Sequence, residues 1–207
     1  MTLIALSAAY GAGGSRVGSA LGERLGVPFL DRAIPLAVAH RLEVPEATAA
    51  VHDEQVTPSW LERVLQGFAG GEAGVPMAVP EQIHTAADFR QATEEVLVRQ
   101  AATGEGVILG RAAVVVLRDD PRVLRVRLDG PREARLRLAM ALGGIDRASA
   151  ERGLQRVDRM HEDYVRRFYG VSLRDPSLYH LVLDATALSL EQCVEIIAVA
   201  AGDLTTS

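Results

Sequence analysis

The chain has 207 residues, of which 48% are hydrophobic and 24% charged, and its formal net charge is -5 at pH 7. This length and composition are typical of one globular domain, which we assign to residues 1–207. The negative charge excludes a general attraction to nucleic acid or anionic lipid, and no apolar stretch is long enough to span a membrane. We therefore expect a cytoplasmic protein with no nucleic-acid or membrane partner. All 22 basic residues are arginine, so its function must work without lysine.

Short apolar segments alternate along the chain with amphipathic ones. The first kind predicts buried strands, namely Leu3–Ser7, Pro28–Leu30, Gly106–Leu109, Val123–Asp129 and His180–Asp184. The second kind predicts helices, namely Gly14–Leu25, Thr85–Ala102, Pro131–Leu142 and Leu190–Ala201. This alternation predicts an α/β fold with a mainly parallel sheet and right-handed crossovers.

The stretch between the second and third predicted strands differs in composition. Pro45 and Pro58 interrupt its helical pieces, and a loop rich in Gly, Pro and Ala follows at 67–80. We expect an inserted flap at about 34–84.

A glycine-rich loop joins the first strand to the first helix. Compared with the pattern G-x-x-x-x-G-K-[ST], Gly13 and Ser15 match, whereas Ala8 replaces the first glycine and Gly14 replaces the lysine. Backbone N–H groups form the phosphate cradle, so another cation could replace the lysine, and Arg16 is the nearest candidate. Alternatively, the glycines only make a tight turn and Arg16 is solvated.

The cysteine and the histidines indicate neither a disulfide framework nor a metal site. Cys193 lies on the apolar side of the last predicted helix, which predicts a buried, inert thiol. The histidines lack ligand spacing; they are His40, His52, His84, His161 and His180.

Three segments together resemble the cytidylate kinase-like family of P-loop kinases. They are YGAGGSRVGSALGERLGVPFLD (10–31), GVILGRAAVVVLRDDPRVLRVRLDGP (106–131) and RVDRMHEDYVRRFYGVSLRDPSLYHLVLDATALSLEQCVEII (156–197). Members of that family commonly carry Y-G-S-G-G-R in this loop, so the absence of the lysine also resembles the family. The resemblance implies a P-loop NTPase fold, with a five-stranded parallel sheet flanked by helices, an acceptor-binding flap and an arginine-rich lid at about 147–169.

The same resemblance implies ATP and Mg²⁺ at the loop. It assigns Ser15 to the metal and Arg16 to catalysis as well as binding. The implied nucleotide-binding residues are Gly11, Ala12, Gly13, Gly14, Ser15, Arg16 and, beside the adenine, Thr186. A strand-to-helix turn with Ser189 as N-cap is the alternative for the Thr186 segment.

On the acceptor side, the resemblance implies roles for residues that follow the second and third strands. Asp31 would bind acceptor hydroxyls or take a proton from one, and an N-cap near Arg32 is its alternative role. Arg111 would meet the acceptor phosphate and base. The chain departs from the family at Ala112 and Val114, where aspartates are common. The implied substrate-binding residues are Asp31, Arg32, Arg111, Asp158 and Arg166.

The implied lid carries a stripe of arginines at helical spacing. Arg156 and Arg159 would stabilise the transferred phosphoryl group, and Arg152 and Arg166 share their face. The alternative is a solvated face with i,i+4 ion pairs from Glu162 to Arg166 and from Asp163 to Arg167. His161 replaces a family arginine and falls in an apolar stripe, so we expect it to pack. Arg125 and Arg127 alternate with apolar residues in the fourth strand, and we expect acids from a covering helix or partner subunit to pair with them.

Taken together, these patterns indicate a kinase that transfers phosphate from ATP to a small acceptor, most simply a nucleoside monophosphate such as CMP. A kinase that acts on a small-molecule hydroxyl is one alternative. A nucleotide-binding regulatory protein that has lost catalysis is another. The sequence assigns no oligomeric state.

Overall fold

A computed structural model describes residues 2–30, 86–110 and 112–204 of the chain. The chain divides into two compact units, one formed by Met1–Asp31 with Val98–Ser207 and the other by Arg32–Leu97. Three predicted site residues, Asp31, Arg32 and Arg111, lie outside the described residues, as does the whole of the predicted flap at about 34–84.

Strands and helices alternate as the sequence predicts. The strands are β1 (Leu3–Ala8), β2 (Phe29–Leu30), β3 (Gly106–Leu109), β4 (Val123–Asp129) and β5 (Leu181–Asp184). The helices are α1 (Gly14–Leu25), α2 (Ala86–Ala102), α3 (Ala113–Val116), α4 (Arg132–Gly143), α5 (Arg147–Tyr169) and α6 (Leu190–Leu204), with a 3₁₀ turn at Pro176–Leu178. The predicted boundaries are confirmed to within a few residues.

The five strands form one parallel sheet in the order β2-β3-β1-β4-β5. β1 lies at the centre, where Leu3 pairs with Gly106 of β3 and with Val123 of β4. Because helices cover both faces of such a sheet, β1 reads as the continuous apolar run LIALSA. All strands point the same way, so their carboxyl ends meet at one edge, which is the usual place for a ligand in this architecture.

Helices α1 and α6 pack against each other on the sheet. Their apolar faces share one core with the central strands, and Leu21 and Ile197 in it are fully buried. A side chain at Gly18 would collide with the ring of Phe29, so glycine permits the close approach of α1 to β2. Cys193 is buried in this core as predicted, and burial raises the pKa of its thiol.

The predicted lid is a single helix, α5, which we call the lid helix. Asp146 caps its amino end by accepting a hydrogen bond from the Ser149 N–H at 2.7 Å. Gly170, with φ 69°, ends it in the left-handed conformation that glycine favours. In the described parts of the chain, no helix combines the length and apolarity needed to cross a membrane.

Candidate functional site

The glycine-rich loop follows the carboxyl end of β1 and leads into the amino end of α1. Gly11 and Gly13 adopt φ angles of 78° and 70°, and Gly13 is the N-cap residue of α1. A side chain at Gly11 would collide with the backbone carbonyl of Arg135, and one at Gly14 would meet Ala8. Glycine is therefore needed both for the loop's turns and for its close packing against α4.

Ser15 and Arg16, the predicted metal and cation residues, lie in the exposed first turn of α1. No acidic residue lies in this turn, and Arg16 makes no ion pair with any described residue. The amino end of a helix carries positive potential and unpaired N–H groups. The first turn of α1 thus has the positive potential of an anion-binding site, and Arg16 adds a further positive charge.

A cavity of about 230 Å³ lies beside this loop. Its walls come from the carboxyl ends of β1 and β4, from α4, from the lid helix and from the segment after that helix. The lining residues are Ala8, Ala9, Arg127, Asp129, Arg135, Asp158, His161, Glu162, Leu173 and Arg174. Three arginines thus surround this space, together with three carboxylates.

Arg127 extends from β4 and is nearly buried, with 11% of its side chain exposed. Its Nη2 lies 3.0 Å from Asp129 Oδ2, and its Nη1 donates to Ser7 Oγ at 3.0 Å. The acid that pairs with Arg127 therefore lies in the same strand, two residues on, and not in a covering helix as expected.

Arg125, the other strand arginine, has backbone partners. Its guanidinium donates to the carbonyls of Leu178 and Arg118, both at 2.8 Å. Burial lowers the pKa of Arg125. The carbonyls of Leu178 and Arg118 thus hold the Arg125 guanidinium, and no acid of a covering helix pairs with it among the described residues. Its pairing with an acid of a partner subunit stays a prediction.

Arg135, on α4, connects four parts of the site. Its Nε donates to the carbonyl of Gly130 at 3.0 Å and lies 3.5 Å from Asp129 Oδ1. Its Nη1 donates to the carbonyl of Tyr10 in the loop at 2.9 Å and to Asp158 Oδ2 of the lid helix at 2.7 Å. One nearly buried guanidinium thereby fixes the end of β4, the loop and the lid helix relative to one another.

The lid helix also contacts the loop directly, at Tyr10. Asp158 Oδ1 accepts a hydrogen bond from the backbone N–H of Tyr10 at 2.8 Å. The Tyr10 ring packs on Gly153, where a side chain would lie 2.5 Å from the tyrosine hydroxyl. Asp158, predicted to bind substrate, is engaged here with the loop and with Arg135.

A second carboxylate holds the segment after the lid helix. Glu162 accepts the N–H of Leu173 at 3.1 Å and forms the predicted i,i+4 pair with Arg166 at 3.2 Å. The Tyr179 hydroxyl donates to the Leu173 carbonyl at 2.8 Å, and burial raises the pKa of that tyrosine. These bonds fix the cavity wall around Leu173.

The outer face of the lid helix differs from the expectation in two ways. Asp163 pairs with Arg159 at 3.4 Å, not with Arg167. His161 is exposed and lines the cavity, so the expectation that it packs in an apolar stripe is wrong. Arg156 and Arg159 are exposed and do not line the cavity. By helical periodicity Arg156 lies on the far side of the helix from Asp158 and His161, and Arg159 lies to one side of them.

The turn after β5 lies close to the end of β4. Asp184 Oδ1 accepts the Thr186 hydroxyl at 2.6 Å and the Thr186 N–H at 2.9 Å, and the hydroxyl lowers the pKa of Asp184. A side chain at Gly130 would meet both residues. The Gln192 N–H donates to Ser189 Oγ at 3.2 Å, and the Gln192 side chain accepts the Ser189 N–H at 2.8 Å. This reciprocal pair is the N-cap arrangement that was the alternative for the Thr186 segment.

Sequence reasoning did not assign the three arginines of the cavity to the site. Arg135 was missed because an arginine on a helix is usually solvated, and its burial became visible only in the fold. Arg127 carried a signal, since a charged residue inside an apolar strand two positions before Asp129 needs a partner. Arg174 follows the lid helix without any sequence pattern of its own. No group of three or more acidic, histidine or cysteine residues arranged for a metal is present among the described residues.

Comparison with known proteins gives the family. The model of the cytidylate kinase-like family matches residues 3–187. No curated protein matches the sequence. The chain therefore belongs to the cytidylate kinase-like family.

Solved structures with a similar fold include several kinases. An uncharacterized protein from Eubacterium ventriosum ATCC 27560 has a TM-score of 0.68 and 16% identity, with 98% of this chain and 99% of that chain covered. A gluconokinase from Sinorhizobium meliloti 1021 has a TM-score of 0.53 and 17% identity, covering 98% and 93%. A sugar kinase from Janibacter sp. HTCC2649 has a TM-score of 0.53 and 16% identity, covering 99% and 95%. At these identities the likeness shows a shared P-loop kinase fold.

Proposed function

We propose that the protein transfers a phosphoryl group from ATP to a small acceptor. The observation that carries the proposal is the glycine-rich loop at the amino end of α1, with the cavity that holds Arg127, Arg135 and Arg174 beside it. Phosphoryl transfer depends mainly on positioning and on cations placed where charge develops. Membership of a kinase-like family supports the same activity.

The loop fits the phosphates of ATP. Gly11 and Gly13 both have positive φ angles, which favour glycine, and a side chain at Gly11 would also collide with its neighbours. The N–H groups of the first turn of α1 would hold the phosphates, with Arg16 supplying the missing charge. Ser15 would hold Mg²⁺, which neutralises charge on the transferred group, and Thr186 would border the adenine.

The cations that act on the transferred group form two proposed sets. The first set is the three arginines that line the cavity, of which Arg127 and Arg135 are paired with carboxylates. The predicted pair, Arg156 and Arg159, requires the lid helix to change its position, because both side chains lie away from the cavity. Arg166, predicted to bind substrate, is likewise exposed and paired with Glu162.

The acceptor is proposed to be a nucleoside monophosphate such as CMP, bound through Asp31, Arg32 and Arg111. One observation favours a second candidate, a small-molecule hydroxyl. Ala112 and Val114, in positions where relatives carry aspartates, are buried apolar residues with 8% and 2% exposure. They offer no carboxylate to a cytosine amino group. The gluconokinase and the sugar kinase of similar fold are in keeping with a hydroxyl acceptor.

A screen for ADP release tests the proposal. Purified protein with ATP and Mg²⁺ is incubated with nucleoside monophosphates, sugars and small hydroxy acids, and ADP is measured by a coupled assay. Release that depends on one acceptor class supports the proposal and names the acceptor. Tight ATP binding by calorimetry without turnover on any acceptor would instead support the regulatory alternative. Absence of ATP binding at millimolar nucleotide would overturn both.

A further inference from the structure

Asp158 bonds to two donors of the kind that bind phosphate. One is the backbone N–H of Tyr10, in the glycine-rich loop, at 2.8 Å from Oδ1. The other is the Nη1 of Arg135, at 2.7 Å from Oδ2, and 11% of the Arg135 side chain is exposed. Loop amides and arginine guanidinium groups are the usual donors to phosphate oxygens. A side chain of the lid helix thus holds an anion-binding pair of donors.

The charges that line the cavity balance each other in this arrangement. Arg127 pairs with Asp129, and Arg135 pairs with Asp158. Glu162, also in the cavity wall, pairs with Arg166. A phosphate group entering the cavity would therefore find Arg127 and Arg135 occupied and would be repelled by the carboxylates, whereas Arg174 forms no ion pair with a described residue. A phosphate oxygen gains the position of Asp158 Oδ2 at Arg135 Nη1 only if Asp158 withdraws.

Withdrawal of Asp158 would remove the hydrogen bond that joins the lid helix to the loop backbone. Tyr10 also packs on Gly153 and against a buried cluster in which Ala150 and Leu154 of the lid helix meet α4. Glu162, one turn beyond Asp158, still holds the helix to the N–H of Leu173. The lid helix is therefore bonded to the loop through Asp158 and to the segment after it through Glu162, and its apolar side stays packed on α4.

We propose that Asp158 is a built-in anion that competes with the phosphate of the ligand for Arg135 and for the Tyr10 N–H. In the ligand-free protein its carboxylate closes the lid helix onto the loop. When phosphate binds, the carboxylate is displaced from Arg135 and from the Tyr10 N–H. This inference rests on the proposed function, because it describes the regulation of that same phosphate site.

Calorimetry with pyrophosphate and with ATP-Mg²⁺ tests the competition. Asp158→Asn keeps the side-chain shape and removes the charge, so we expect both ligands to bind about tenfold tighter or more than to wild type. Asp163→Asn is the matched control, since it removes the same charge from the exposed face of the same helix. Its affinity should stay within about twofold of wild type. Asp158→Ala, which suits a helix interior, gives a second measurement if the asparagine variant folds poorly.

The outcomes separate this inference from the proposed function. Wild-type binding of ATP-Mg²⁺ together with unchanged or weaker binding by both Asp158 variants would overturn the competition and leave the kinase proposal standing. Equal tightening in Asp158→Asn and Asp163→Asn would show a general charge effect and would also overturn it. Failure of every variant to bind either ligand would overturn both proposals. Tightening confined to the Asp158 variants supports competition whether or not turnover is found.

Discussion

Arg135 Nη1 donates to Asp158 Oδ2 at 2.7 Å, and this ion pair joins α4 to the lid helix beside the glycine-rich loop. The exposed fractions of the two side chains are 11% and 22%. Removing one member of a nearly buried pair leaves the other charge without a partner. We therefore expect Arg135→Ala to lower the free energy of unfolding by about 3 kcal/mol. Urea denaturation measures it, with Arg137→Ala, on the exposed side of α4, as control. An equal loss in both variants would show that the pair adds no stability.

Gly11 tests the close packing of the loop on α4. Alanine at this position has to adopt a left-handed backbone and also collides with the Arg135 carbonyl, which belongs to the backbone and cannot rotate away. Gly26→Ala meets open space at φ 68°, so it isolates the conformational cost, about 1–2 kcal/mol. We expect Gly11→Ala to destabilise clearly more, by about 3 kcal/mol or more. Chemical denaturation of both variants compares them, and similar losses would mean that the loop moves away from α4.

Arg16 is the proposed replacement for the loop lysine. Because Arg16→Ala loses a charge-assisted hydrogen bond to a phosphate oxygen, we expect it to bind ATP-Mg²⁺ at least about tenfold more weakly than wild type. Arg24→Ala is the control, because Arg24 lies on the same helix but pairs with Glu195 at 2.8 Å. Calorimetry gives both dissociation constants. If the two variants bind alike, the charge at the phosphates comes from another arginine.

Arg156 and Arg159 test the predicted lid chemistry. If these side chains stabilise the transferred group, the double alanine variant should lose about two to three orders of magnitude in kcat while its ATP affinity changes little. The comparison is Arg174→Ala, which removes an arginine of the cavity wall. Steady-state kinetics on the acceptor identified by the ADP screen measures both. Full activity in the double variant with a large loss in Arg174→Ala would assign catalysis to the cavity arginines.

Asp184 gives a prediction in pH. The Thr186 hydroxyl, 2.6 Å from Oδ1, holds the pKa of Asp184 below its ordinary value. A carboxyl whose folded pKa is depressed adds stability above its unfolded pKa, and that stability is lost as the pH falls through the folded pKa. Thr186→Val should therefore raise the pKa of Asp184 and flatten the acid side of the stability curve, whereas Thr186→Ser should restore both. Carbon NMR titration of the carboxyl follows the shift. An unchanged pKa in Thr186→Val would show that the backbone N–H groups alone depress it.

The sequence by itself determined the order of the elements and the architecture. The apolar runs of β1 and β3 and the periodic helices that alternate with the strands permit little except a parallel sheet, because a strand buried on both faces has no polar face to turn to solvent. The glycine-rich loop could also be predicted from the sequence, because positive φ angles and close packing select glycine. The helical spacing of the arginines predicted that they share one face of the lid helix. It could not predict which face of that helix packs toward the sheet.

The composition of the cavity was decided only by the tertiary structure. Tyr10 and Asp158 are 148 residues apart, and Arg135 lies between them on a different helix. Nothing local to any of the three requires the others, because long-range ion pairs form between side chains that the packing of helices on the sheet brings together. The way in which α4 and the lid helix pack at the end of β4 therefore determined that Arg135, and not Arg156 or Arg159, lies beside the loop.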